Sequence, residues 1–134
     1  MIKVFFLCKS NKFFSMLETM LNKDGIYIAG TCNEPQNALE HFIKSKADLV
    51  VMDANWSSQT YTLSSKQIMQ RFLKHDENIK VIFVTLHFEP NQIEDIKQLG
   101  AKGYIYRNVS KFEKITDCIK QVFLGDAVYN SELV

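Results

Sequence analysis

No apolar run in this chain is long enough to cross a bilayer. The apolar opening from Met1 to Leu7 carries only Lys3 and gives way to Cys8-Lys9-Ser10-Asn11, too brief for a secretory leader or a membrane span. A cytoplasmic chain is the expectation. Charge of one sign is also lacking: 16 Lys and Arg face 15 Asp and Glu, a net charge of +1. Without a one-sided basic footprint, direct DNA or RNA binding by this segment is not expected. The 3 cysteines, Cys8, Cys32 and Cys118, follow no CxxC or Cys/His spacing, so neither a disulfide framework nor a zinc site is indicated. His41, His75 and His87 show no metal-ligand spacing either. Glycine is absent after the first apolar run, which removes both a G-x-G-x-x-G turn and a P-loop. No Ser/His/Asp arrangement or nucleophile elbow appears, and enzymatic catalysis is not expected.

With 134 residues, 46% of them hydrophobic, and no Pro/Gly/Ser linker, residues 1–134 read as one domain with a buried core. The patterning alternates between two periods. Val4-Phe5-Phe6-Leu7, Ile26-Tyr27-Ile28-Ala29, Leu49-Val50-Val51-Met52, Val81-Ile82-Phe83-Val84 and Tyr104-Ile105-Tyr106 are continuous apolar runs, as strands covered on both faces require. Between them lie helical stripes. Phe13, Met16, Leu17, Met20 and Leu21 make the first. The second follows Asn33 and Gln36, spaced as a capping box around Pro35, and contains Ala38, Leu39, Phe42 and Ile43. Ile68, Met69, Phe72 and Leu73 mark the third, and Pro90, Ile93, Ile96 and Leu99 the fourth, closed by Gly100. The fifth follows the pair Ser110 and Glu113, carries Phe112, Ile115, Ile119, Val122 and Phe123, and exits at Gly125. Five such alternations predict an α/β fold, a (βα)5 three-layer sandwich around a five-stranded parallel sheet. In such sheets ligands meet the carboxyl ends of the strands, here Cys8, Lys9, Asp53, Thr85 and Arg107.

Those ends sit in three recognisable stretches: Asp48-Leu49-Val50-Val51-Met52-Asp53, Val81-Ile82-Phe83-Val84-Thr85 and Gly100-Ala101-Lys102-Gly103-Tyr104-Ile105-Tyr106-Arg107. Over nearly its whole length the chain resembles the receiver domains of two-component response regulators. The Gly-Ala-Lys-Gly-Tyr stretch and Phe123-Leu124-Gly125-Asp126-Ala127-Val128-Tyr129 are most similar to the NarL/LuxR-type subfamily. The resemblance implies a flavodoxin-like sheet order 2-1-3-4-5. It also implies a histidine kinase as partner, a homodimer, and a helix-turn-helix DNA-binding domain following in a longer native protein, with transcription regulation as the output.

By resemblance Asp53 is the phosphoacceptor, Thr85 the hydroxyl that contacts the phosphoryl group, and Tyr104 the aromatic whose rotation reports phosphorylation. The family binds Mg²⁺ through an acidic pair at the end of strand one, the acceptor aspartate, and a backbone carbonyl matching Asn55. Here the pair is replaced by Cys8 and Lys9. A neutral thiol is a poor ligand for Mg²⁺ and an ammonium repels it, so no cofactor is expected and Mg²⁺ binding should be weak or absent. The Lys9 ammonium is expected to pair with Asp53 where the metal would sit, an attraction of roughly 4 kcal/mol at about 4 Å before desolvation. The family's strand-five lysine is replaced by Arg107, Leu86 is bulkier than the residue many receivers carry, and the loop through Trp56 lacks the usual proline.

Three functions stay open on these residues: a receiver acting without Mg²⁺-dependent phosphorylation, a working phosphoacceptor with Lys9 in place of the metal, and a stand-alone protein-protein adaptor. Single residues have plainer readings too. Asp53 can be a structural remnant paired with a base, Thr85 an ordinary strand residue, and Cys8 a buried inert thiol. Tyr104 is expected to pack with its hydroxyl at the surface, and Tyr106, Phe112 and Trp56 are the candidate exposed aromatics.

Overall fold

Each apolar run forms a strand and each apolar stripe a helix. The computed structural model describes residues 1–9, 12–54, 63–85, 90–106 and 112–129, with the main chain alone at 12–14, 16, 90 and 112. Strands β1 (Ile2–Leu7), β2 (Ile26–Cys32), β3 (Leu49–Asp53), β4 (Val81–Thr85) and β5 (Gly103–Tyr106) alternate with helices α1 (Lys12–Lys23), α2 (Ala38–Ser45), α3 (Ser65–His75), α4 (Pro90–Leu99) and α5 (Phe112–Phe123). The expectation of five strands falls one short. After α5 the chain adds β6 (Val128–Tyr129), and the parallel order is β2-β1-β3-β4-β5-β6. β6 is two residues long and is defined by its pairing with β5.

Side-chain alternation along the strands divides the core in two. Phe5, Leu7, Val50, Met52, Val81, Phe83 and Tyr104 face α2, α3 and α4, meeting Ala38, Ile68, Met69, Phe72, Ile93 and Ile96. Val4, Phe6, Leu49, Val51, Ile82, Val84 and Ile105 face α1 and α5, meeting Leu17, Leu21, Ile115, Cys118, Ile119 and Val122. Three aromatic rings brace the first face: Phe42 meets Phe5 edge-on at 5.9 Å and Phe72 at 5.6 Å between centroids. On the second face Gly103 allows close packing, since a Cβ there would stand 3.0 Å from Cγ1 of Ile82 and 3.3 Å from Sγ of Cys118, and those side chains would have to give by a few tenths of an ångström.

β2 changes face partway along. Val4 pairs with Ile28 but Phe5 pairs with Gly30, so one residue is extra and the register shifts. Ile26 and Ile28 therefore pack toward α1 and α5, whereas Cys32 packs toward α2, although all three keep the same parity in sequence.

Two helix starts differ from expectation. The Asn33–Gln36 box does not form: a 3-10 turn at Pro35–Asn37 precedes α2, whose cap residue Asn37 makes no side-chain cap bond. Pro35 sits in that turn, and the Glu34 carboxylate instead accepts from the side-chain amides of Gln36 and Asn37 at 3.3 and 3.4 Å. The box that does form opens α3, where Ser64 accepts from Gln67 N–H and the Gln67 side chain accepts from Ser64 N–H. Ser110, expected to cap α5, lies outside the described residues.

At the far end of α5, Gly125 adopts φ +108°, its N–H donates to Val122 O, and Asp126 N–H donates to Gln121 O. This is the bonding of a Schellman cap, and its left-handed residue turns the chain back toward β5. The Lys80 ammonium donates to Phe123 O at 2.7 Å, where the helix dipole favours a cation.

Within the α1/α5 face, burial pushes the Cys118 thiol from 9.0 up to about 12. The native chain therefore keeps a proton that the unfolded chain releases above its ordinary value. This contribution is fully present below pH 9 and is lost as pH climbs toward 12, by about 1.4 kcal/mol per pH unit. Denaturant titrations across that range should show a shallower alkaline loss for Cys118→Ala than for the native chain. Equal slopes would remove Cys118 as the cause.

Candidate functional site

The carboxyl ends of β1, β3 and β4 converge on Asp53, the last residue of β3. Leu7 pairs with Met52 and Asp53 with Val84, so the neighbouring strands end level with it. Ala54 locks the exit: its N–H donates to Val84 O at 2.9 Å, and its carbonyl accepts from Ser65 Oγ at 2.7 Å, joining β3 to the first turn of α3. Asp53 is half-buried as a result, with its carboxylate at the rim.

The main-chain N–H of Lys9 donates to Asp53 Oδ2 at 2.6 Å. This short, charge-assisted bond fixes the carboxylate orientation and brings a positive dipole end to it through the backbone. Lys9 is exposed, while Cys8 is 1% exposed and faces the α1/α5 side of the core. Its own N–H continues the sheet by donating to Cys32 O at 3.1 Å. Successive strand residues point to opposite faces, so a thiol at position 8 is placed in apolar surroundings and not beside the Lys9 side chain.

Thr85 ends β4, pairs with Tyr106, and is 3% exposed. Tyr104 does not place its hydroxyl at the surface. The residue is 0% exposed, and its hydroxyl donates to Gln92 Oε1 in α4 at 3.0 Å. α4 supplies the acceptor that holds the hydroxyl inside. Nothing in the sequence marks Gln92, which looks like any polar residue of a helix. Tyr106 is half-buried. Arg107, Asn55, Leu86 and Trp56 lie outside the described residues, as does the Phe112 side chain.

The Mg²⁺ that the resemblance implies is a poor match for these groups. At the end of β1 the fold offers a core-facing thiol and a main-chain donor already directed at Asp53. Among the described residues no three His, Cys, Asp or Glu side chains gather as a cation would need. A hard ion requiring near-octahedral oxygen ligands does not fit that donor set. Among the described residues, too, no helix is long and apolar enough to cross a membrane.

Sporulation initiation phosphotransferase F of Bacillus subtilis is 29% identical over 106 residues, covering 79% of this chain and 81% of its own. Response regulator protein VraR of Staphylococcus saprophyticus is 24% identical over 109 residues, covering 81% of this chain but 50% of the relative, so the chain spans about half of VraR. A LuxR-family two-component response regulator from Aurantimonas superposes with a TM-score of 0.84 at 13% identity, over 98% of this chain and 91% of that one, a likeness of fold. The model of the response regulator receiver domain matches residues 10–120, from just after Lys9 through most of α5. The match takes in the ends of β3 and β4, and the chain belongs to the response regulator receiver domains of two-component signalling.

Proposed function

We propose that this receiver regulates its effector without Mg²⁺-dependent phosphorylation of Asp53. One observation carries the reading: where the resemblance calls for an acidic pair, a buried thiol and an exposed lysine stand, and the lysine main chain bonds Asp53. Phosphoryl transfer to a carboxylate requires the incoming charge to be offset, and one N–H dipole offers less than a divalent ion. The effector is a DNA-binding domain joined beyond the receiver, making the whole protein a transcription regulator. Half-length coverage of VraR, itself a response regulator protein, supports that arrangement. A histidine kinase and a second copy of the chain complete the expected partners, in the cytoplasm.

A second reading has one observation in its favour. The Bacillus relative is named a phosphotransferase and is covered over 81% of its length. On that reading Asp53 accepts a phosphoryl group with Lys9 replacing the metal.

Incubating the full chain with acetyl phosphate or beryllofluoride, with and without Mg²⁺, tests both by intact mass and amide exchange. The first reading expects no adduct in either condition. A metal-independent adduct that Asp53→Asn abolishes and Lys9→Ala weakens would establish the second. A Mg²⁺-dependent adduct at Asp53 would overturn both.

A further inference from the structure

The segment after α5 is held by side chains more than by its strand. β6 has two residues, in register as Gly103 with Val128 and Tyr104 with Tyr129. The Val128 N–H donates to Lys102 O at 2.8 Å, and both residues are half-buried. A ladder so short gives little stability by itself. Tyr129 supplies the remainder: its hydroxyl donates to Ala101 O at 2.7 Å, and the Lys97 ammonium lies 4.7 Å from its ring centroid. The ring packs against the α2/α3/α4 side of the core, and burial raises its hydroxyl above the ordinary tyrosine value.

Both anchors come from α4 and the turn that closes it. Lys97 lies in the last turn of α4, and Ala101 follows that helix, its N–H donating to Ile96 O. At its other end α4 holds the hydroxyl of Tyr104 through Gln92. Tyr104 and Tyr129 are lateral neighbours across the β5–β6 pair. α4 thus engages both tyrosines, Tyr104 through Gln92 in its first turn and Tyr129 through Lys97 in its last turn and Ala101 just beyond it.

We propose that Val128 and Tyr129 form a strap clamped by α4, so that displacement of α4 or of Tyr104 frees the strap and with it the chain that continues from Tyr129. The strap is the mechanical link between the interior of the receiver and whatever is joined beyond it. The linkage is reciprocal: a pull on the strap loosens α4. It does not depend on how Asp53 is modified, because its bonds lie on α4, β5, β6 and the turn that joins α4 to β5.

Site-resolved amide exchange on the full chain tests this at the Val128 N–H. Tyr129→Phe keeps the ring and removes the hydroxyl bond, and should accelerate Val128 exchange about fivefold, the loss of one partly buried hydrogen bond. Gln92→Ala, which removes the acceptor of the Tyr104 hydroxyl, should also accelerate Val128 while leaving amides of β1 and β3 unchanged. Acceleration confined to α4 in Gln92→Ala would overturn the coupling. Native Val128 exchange as slow as the β3 amides would overturn the strap, by showing that it opens only on global unfolding.

Discussion

Replacing Cys8 and Lys9 together by aspartate should raise Mg²⁺ affinity on the order of 100-fold, because two carboxylates, hard oxygen ligands, take the place of a thiol and an ammonium at the strand end next to Asp53, and each unit charge at contact distance is worth several kcal/mol before desolvation at an effective dielectric near 20. The two substitutions act differently. Lys9 is exposed, so Lys9→Asp alters the field at Asp53 with little packing cost. Cys8 is 1% exposed among Val4, Phe6 and Leu17, so Cys8→Asp puts a carboxylate against an apolar wall. Unpaired, such a charge costs several kcal/mol. Without metal the double variant should melt well below the native chain, and Mg²⁺ should recover much of the loss by binding the folded state. Calorimetric titration and Mg²⁺-dependent melting measure both effects. A folded double variant that ignores Mg²⁺ would show that the obstacle is Leu86 or the Trp56 loop and not the lost acidic pair.

Phe72→Ala should lower stability by about 3–5 kcal/mol, a large share of the roughly 5–15 kcal/mol that holds a domain together. Phe72 is fully buried and forms the inner end of the Phe5–Phe42–Phe72 row that spans β1, α2 and α3. Removing it takes the edge-on partner from Phe42 and leaves a cavity bounded by Met69 and other members of the same cluster. Collapse into that space is limited, since the flanking strands are fixed by pairing on both sides. Denaturant unfolding measures the loss. A change below about 1 kcal/mol would mean that the row repacks freely and is not the brace described here.

Most of the architecture was legible in local pattern. Continuous apolar runs became β1, β3, β4 and β5 because both faces of each are covered, and the exit glycines 100 and 125 cap α4 and α5 with positive φ. The helix-start signals were less dependable. Asn33 and Gln36 had the spacing of a box, but Pro35 went into a 3-10 turn and the α-helix begins at Ala38, whereas Ser64 and Gln67 formed a box from an equally ordinary spacing.

The sequence by itself determined the order of elements, their covered faces, and which residues stand at the strand ends, because those depend on side-chain period and on neighbours close along the chain. Tertiary structure alone decided what those residues touch. Residues 44 positions apart meet when Lys9 N–H reaches Asp53, and Tyr104 turns inward because α4 brings Gln92 to it. The bulge in β2 sends Cys32 to the opposite face from Ile26, and β6 exists only because β5 has a free side for it. Each of these follows from main-chain groups seeking partners across the sheet, and a backbone N–H carries no mark in the sequence of where its acceptor will be.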